Sequence, residues 1–129
     1  MNGFQETLGK LPALLDERAF LQWRGRRFDA EILIEADHAP FHLRFREGRL
    51  EDLQQGPILM RSWDFALRAD AASWLAHWQP VPRPGFHDLL AMTKFGYLRI
   101  EGDFYPLMTH LQFVKDVLAL PREIAGGAP

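Results

Sequence analysis

At 129 residues, with ten phenylalanines and four tryptophans, the chain is large enough for one domain with a real core and is unusually rich in bulky aromatics. A net charge of −2 creates no global field toward nucleic acid or an anionic membrane, and the absence of cysteine excludes disulfides, thiolate nucleophiles and Cys-based metal sites. The opening MNGFQETLGK has no hydrophobic signal core, and no apolar run approaches membrane-spanning length, so a single cytoplasmic domain over 1–129 is the expectation.

In chain order, residues 3–24 are predicted helical, in two pieces divided at Pro12. Phe4, Leu8 and Leu11 form a first apolar stripe, Leu14, Leu15 and Ala19 begin a second, and Gly25 ends the segment. A sheet meander is predicted over 26–69. Phe28, Ala30, Ile32 and Ile34 alternate with charged residues; Phe41, Leu43 and Phe45 alternate with His42, Arg44 and Arg46. Glu47–Gly48 turns tightly into Arg49–Gln54, Gly56–Pro57 breaks the chain, and Trp63, Phe65 and Leu67 mark a fourth strand. The basic residues from Arg24 to Arg27 are answered along the sequence by Asp29, Glu31, Glu35 and Asp37.

Two helices are predicted over 71–93. Asp70 is placed to cap the first, Ala71–Gln79, in which Trp74, Leu75 and Trp78 share a face. The stiff segment PVPRPG leads to the second, with Phe86, Leu89 and Leu90 inward. A strand over 96–101 then passes through Gly102, suited to positive φ, into a helix over 103–120 capped by Asp103. At about 100° per residue, Phe104, Leu107, Met108, Leu111, Val114 and Leu118 make one stripe of that helix. Phe113, Val117 and Leu120 make another on the opposite side, which must face a further layer, a partner or a greasy ligand. The GGAP tail is expected to fray. The order predicts an α+β fold, a mainly antiparallel five-stranded sheet with helices on one face and the late strand inserted or added at an edge.

From about Ser62 onward the pattern resembles the sterol carrier protein 2 (SCP2) family: a strand ending in Asp70, helices around Trp74–Trp78 and Phe86–Met92, the strand Gly96–Asp103, and a Met- and Leu-rich helix over Leu107–Leu111. Tyr97 departs from the Lys frequent in that family, and PVPRPG is longer and stiffer than usual. The resemblance implies a small stand-alone domain with an apolar tunnel between sheet and helices. It also implies non-catalytic binding or transfer of a sterol, fatty acyl chain or similar lipid.

On that resemblance and the helical faces, the candidate ligand-binding residues are Trp74, Trp78, Phe86, Leu89, Leu90, Met92, Phe95, Leu98, Phe104, Met108 and Leu111. The flexible thioethers of Met92 and Met108 suit irregular apolar cargo. Trp74 and Trp78 read first as core or interface anchors and stay candidates because they lie next to the Pro-rich connection. No metal, cofactor or catalytic residue is predicted. His38 and His42, on one strand face, would lie about 13 Å apart, too far to share an ion. His77, His87 and His110 stand singly, Ser62 and Ser73 lack a nucleophile-elbow setting, and no carboxylates form an acid–base pair. The partner expected is a hydrophobic small molecule, with a homodimer left open. The alternative is an interaction domain whose apolar C-terminal helix docks on a partner or a second copy, its tunnel filled by its own side chains. A small α+β isomerase is disfavoured because neither Tyr97 nor Tyr105 has a carboxylate partner by spacing.

Overall fold

The computed structural model describes residues 2–58 and 61–127. Period-two alternation builds β1 (Ala30–Ala36), β2 (Ala39–Arg46), β3 (Arg49–Gln55), β4 (Phe65–Ala69) and β5 (Leu98–Gly102). They form one sheet in the order β3-β2-β1-β4-β5. The first three strands are the predicted meander, and β5 lies at an edge, antiparallel to β4. The fourth does not continue the meander: β4 pairs parallel to β1, Ile32 opposite Phe65 and Ile34 opposite Leu67. A tight hairpin cannot make a parallel pair, so the longer connection after β3 crosses back over the sheet. Arg61 in that connection pairs with Glu31 of β1 and Asp52 of β3, on the face away from the core.

The helices are α1 (Asn2–Gly9), α2 (Leu11–Asp16), α3 (Ala19–Arg24), α4 (Ala71–His77), α5 (Leu89–Lys94), α6 (Phe104–Thr109), α7 (Leu111–Ala119) and α8 (Arg122–Gly127). The N-terminal helical segment is thus in three pieces. Pro12 opens α2, where its missing N–H is harmless, and Arg18 takes a non-helical ψ of 71° between α2 and α3. Residues 103–120 divide at His110, with φ −120° and ψ 32°. Both stripes of α7 are buried within one chain: Val114 and Leu118 on one side, Phe113 and Val117 on the other, with Leu120 following. The last two residues of the GGAP tail lie outside the described residues.

Capping differs from the sequence expectation at α4. Asp70 precedes the helix without a side-chain bond to it, and Asp37 supplies the acceptor instead, taking the Ala71 N–H at 3.0 Å. Asp37 and His38 both have positive φ in the β1–β2 turn, which swings that carboxylate under the helix. The second central helix begins at Leu89 and not before Phe86, because the Asp88 side chain accepts from Leu90 and Ala91. Asp103 caps α6 through Tyr105 as expected from its carboxylate. Gly102 has φ 101°, and a Cβ there would sit 2.6 Å from the Asp64 carbonyl oxygen, so the turn out of β5 requires glycine.

The core lies between the sheet and the helices in one cluster, and its composition changes across the sheet. Over β1 and β2 it is aromatic. The Phe4 ring stacks on Trp78 at 5.3 Å and meets Phe41 edge-on at 5.4 Å, while Phe28, Phe45 and Phe113 form a second group. Beside β5 the cluster is richer in aliphatic side chains, Leu98 and Ile100 on the strand and Leu89, Met92 and Leu107 from the helices, although Phe65 pairs with Gly102 and Phe86 stacks on Tyr97 nearby.

Candidate functional site

The residues expected to line a tunnel fall into three groups. Trp74, Trp78, Phe86, Leu89, Met92 and Leu98 are buried in the common core, and Leu111 packs half-buried against it. Leu90 is half-buried. Phe95, Phe104 and Met108 point outward, the last two 48% and 52% exposed.

The tryptophans are held by polar as well as apolar contacts. The Trp78 indole N–H donates to the Leu118 carbonyl at 2.7 Å, and that of Trp74 donates to the Glu35 carbonyl at 3.1 Å. Their polar ends therefore tie α4 to α7 and to β1, and each indole buries a satisfied donor. Phe4, from the first helix, covers both rings; its periodicity marks it as core, but nothing local in the sequence assigns it to the tryptophans.

A different environment surrounds α6. This six-residue helix carries Phe104, Leu107 and Met108 at helical neighbour spacings, yet only Leu107 is buried. Phe95, just past α5, lies 6.4 Å from the Tyr97 ring, which stacks on Phe86 at 4.2 Å. Gly85 leaves room for both: a Cβ there would come within 3.2 Å of the Phe95 ring. The α5 N-terminus is fastened to α7 by Lys115, 2.8 Å from Asp88. Burial opposes ionisation of Asp88, but Lys115 and the capping N–H groups outweigh it and hold its pKa below the usual value.

Two buried histidines are only partly engaged: among the described residues, His77 Nε2 and His42 Nδ1 have no hydrogen-bond partner. His77 Nδ1–H donates to the Phe86 carbonyl at 2.7 Å, and Arg122 donates to the His77 and His87 carbonyls. Burial, countered only in part by the Phe86 bond, lowers the His77 pKa to about 4. His42 is also shifted down, by burial and by Arg61. A polar cleft of about 310 Å³ beside β4 is lined by Glu35, Asp37, Arg68, Asp70, Ser73 and Tyr97 among others. Most of its charges are committed, Arg68 to Glu35 and Glu101 and Asp37 to the cap of α4, while Asp70 makes no side-chain bond to α4. Among the described residues no group of three His, Asp or Glu side chains is placed to hold a metal ion. No helix among them is long and apolar enough to cross a membrane.

No protein-family model matches the chain, and no curated protein matches it in sequence. Solved structures do match in shape. Sterol carrier protein 2 superposes with a TM-score of 0.71 at 15% identity, over 92% of this chain and 95% of that one. A conserved hypothetical protein of Thermus thermophilus, described as possibly a sterol carrier protein, gives 0.61 at 16% identity, over 92% and 86%. The UbiJ-SCP2 ubiquinone synthesis protein gives 0.59 at 17%, over 89% and 87%. The strand order, the helices on one face and these superpositions together establish that the chain adopts the sterol carrier protein 2 fold.

Proposed function

We propose that this domain binds a hydrophobic small molecule, a sterol, fatty acyl chain or similar lipid, and carries it without chemistry. The cargo would lie in the aliphatic part of the interior beside β5, with α6 as its cover. The likeness in fold to sterol carrier protein 2 supports the class of ligand. The observation that carries the location is α6 itself, whose Leu107 is buried while Phe104 and Met108 face solvent. A short helix anchored by one apolar side chain is easily displaced. If α6 turned over a lipid tail, Phe104 and Met108 would close on it, each burying the half of its surface now exposed, worth about 1 kcal/mol apiece. On this reading Met92, Leu98, Phe104, Leu107, Met108 and Leu111 contact the cargo, and Trp74 and Trp78 form the fixed wall of the domain.

A fluorescent fatty acid titrated into the purified protein should bind in the micromolar range, about −8 kcal/mol. Leu111→Trp should weaken it about tenfold by adding bulk where Leu111 packs half-buried on the core, and Met108→Asp should do so by placing a charge against the tail, both with thermal stability nearly unchanged. Native mass spectrometry should show co-purified lipid. A second reading, an interaction domain whose interior is filled by its own side chains, is favoured by the Phe4–Trp78 stack and the two indole hydrogen bonds. It prevails if no apolar probe binds and no lipid co-purifies.

A further inference from the structure

One buried polar atom is left over by the packing of the helices. His77 of α4 is only 2% exposed, and its two ring nitrogens differ. Nδ1–H is fixed by the Phe86 carbonyl at 2.7 Å, which leaves Nε2 without a proton and makes it an acceptor. Among the described residues Nε2 has no hydrogen-bond partner. The Trp74 ring lies edge-on at 6.3 Å and offers none, since its indole N–H is given to the Glu35 carbonyl. An acceptor unpaired in the interior is costly, and an apolar side chain would fill the same space without that cost.

The surroundings hold the ring in this form. Arg122 donates to the His77 and His87 carbonyls at 2.8 and 2.6 Å and brings its guanidinium within 3.2 Å of Nδ1. A second proton on the ring would face that cation. Burial, reinforced by Arg122 and opposed by the Phe86 bond and Asp88, lowers the pKa to about 4, so the ring is neutral at ordinary pH. The ring also stands at one end of the aliphatic interior. Phe86, whose carbonyl fixes it, stacks on Tyr97 just before β5, and α6 follows β5 at the other end. Between the two ends β5 runs for five residues, about 16 Å, the scale of a long alkyl chain.

We propose, on the reading of this domain as a lipid carrier, that His77 Nε2 accepts a hydrogen bond from a terminal hydroxyl of the cargo, which makes a lipid alcohol or phenol the preferred ligand. The tail lies along β5 beneath α6, and the head meets α4. The choice of head group follows from the lone pair. A hydroxyl donates its proton and completes the bonding of the ring. An ether or ester oxygen sets a second lone pair against the first, and a carboxylate adds a negative charge with no proton to give. A site built to bond an O–H rejects analogues that lack it, because its own buried group is then left unpaired.

The test is displacement of the bound fluorescent fatty acid by dodecanol and by dodecyl methyl ether, which share a tail and differ in the hydroxyl proton. Dodecanol should be the better competitor by about tenfold. His77→Asn keeps an N–H for the Phe86 carbonyl and removes the acceptor, while His77→Phe keeps a ring and removes both nitrogens. In each variant the advantage of the alcohol should fall to about onefold. Nitrogen NMR of the parent protein reads the contact whatever the variants do to folding: the His77 Nε2 resonance should move with dodecanol and not with the ether. The proposal alone is overturned by equal displacement, by displacement with neither compound, by an advantage kept in both variants, or by an Nε2 resonance that dodecanol leaves in place. If the fluorescent acid is not taken up at all, the carrier reading falls and this proposal with it.

Discussion

The interior over β1 and β2 and the interior beside β5 are built on different principles. In the first, Phe4, Phe41, Trp74 and Trp78 interlock ring against ring, and both indole donors are tied to main-chain carbonyls. In the second, Met92, Leu98 and Leu107 are buried without directional side-chain bonds, Leu107 on a helix whose outer face is also apolar. Rigid rings with fixed hydrogen bonds specify one arrangement, whereas aliphatic and thioether side chains repack around a guest of variable shape. On the proposed reading, one part of the fold serves as frame and the other as adaptable lining.

The sharpest break of this contrast is a pair of truncations at fully buried sites. Trp78→Ala should cost about 4 kcal/mol, because it removes a stacked ring and leaves the Leu118 carbonyl without its donor. Met92→Ala should cost about 2 kcal/mol, the low end for such a change, if its surroundings collapse readily. Urea denaturation measures both, and equal losses would remove the distinction between frame and lining.

Acid should loosen the frame next. His77 meets Trp74 edge-on at 6.3 Å and is held neutral, with its pKa lowered from 6.5 to about 4. The unfolded chain therefore binds a proton between those values that the folded chain does not. Stability is full above pH 6.5 and declines as the pH falls toward 4, by about 1.4 kcal/mol per unit and about 3 kcal/mol in all. His77→Gln should flatten that slope in denaturation curves taken at several pH values.

Gly102→Val, at the end of β5, should cost about 2 kcal/mol from backbone strain and collision with the Asp64 carbonyl, read as a lowered melting temperature. The smallest effect concerns the fastening of the lining. Asp88→Ala removes both the α5 cap and the partner of Lys115, and should lower stability by about 1 kcal/mol. Amide exchange should then quicken in α5 before it does in α4.

The alternations of β1, β2 and β4, the Gly102 turn and the late strand beside an edge were legible because each is a local consequence of period or of glycine. The parallel pairing of β4 with β1 was not, since a strand's residues do not state which neighbour they will meet. Burial of Phe86, Leu89 and Leu98 follows the predicted faces, whereas outward Phe104 and Met108 depend on the break at His110, which turns α6 independently of α7. The cap of α4 escaped for a related reason: Asp70 has the right position in sequence, but Asp37, from a distant turn, has the right position in space. Charge was misleading in the same way. Carboxylates beside the arginines in sequence serve other partners in the fold.

The crossover between β3 and β4 also shapes how the chain comes off the ribosome. The strands β1–β3 precede Phe65–Ala69 in the chain and emerge first, so until β4 docks β1 is an edge strand. Its Ile32, Leu33 and Ile34 then present an unpaired, strongly apolar border to any other strand nearby. The flanking charges Glu31 and Glu35 are the natural protection of that border, acting as gatekeepers during synthesis and as ion-pair partners of Arg61 and Arg68 once β4 has arrived. Neutralising both would therefore be felt first as aggregation of the nascent chain, before any loss in the finished domain.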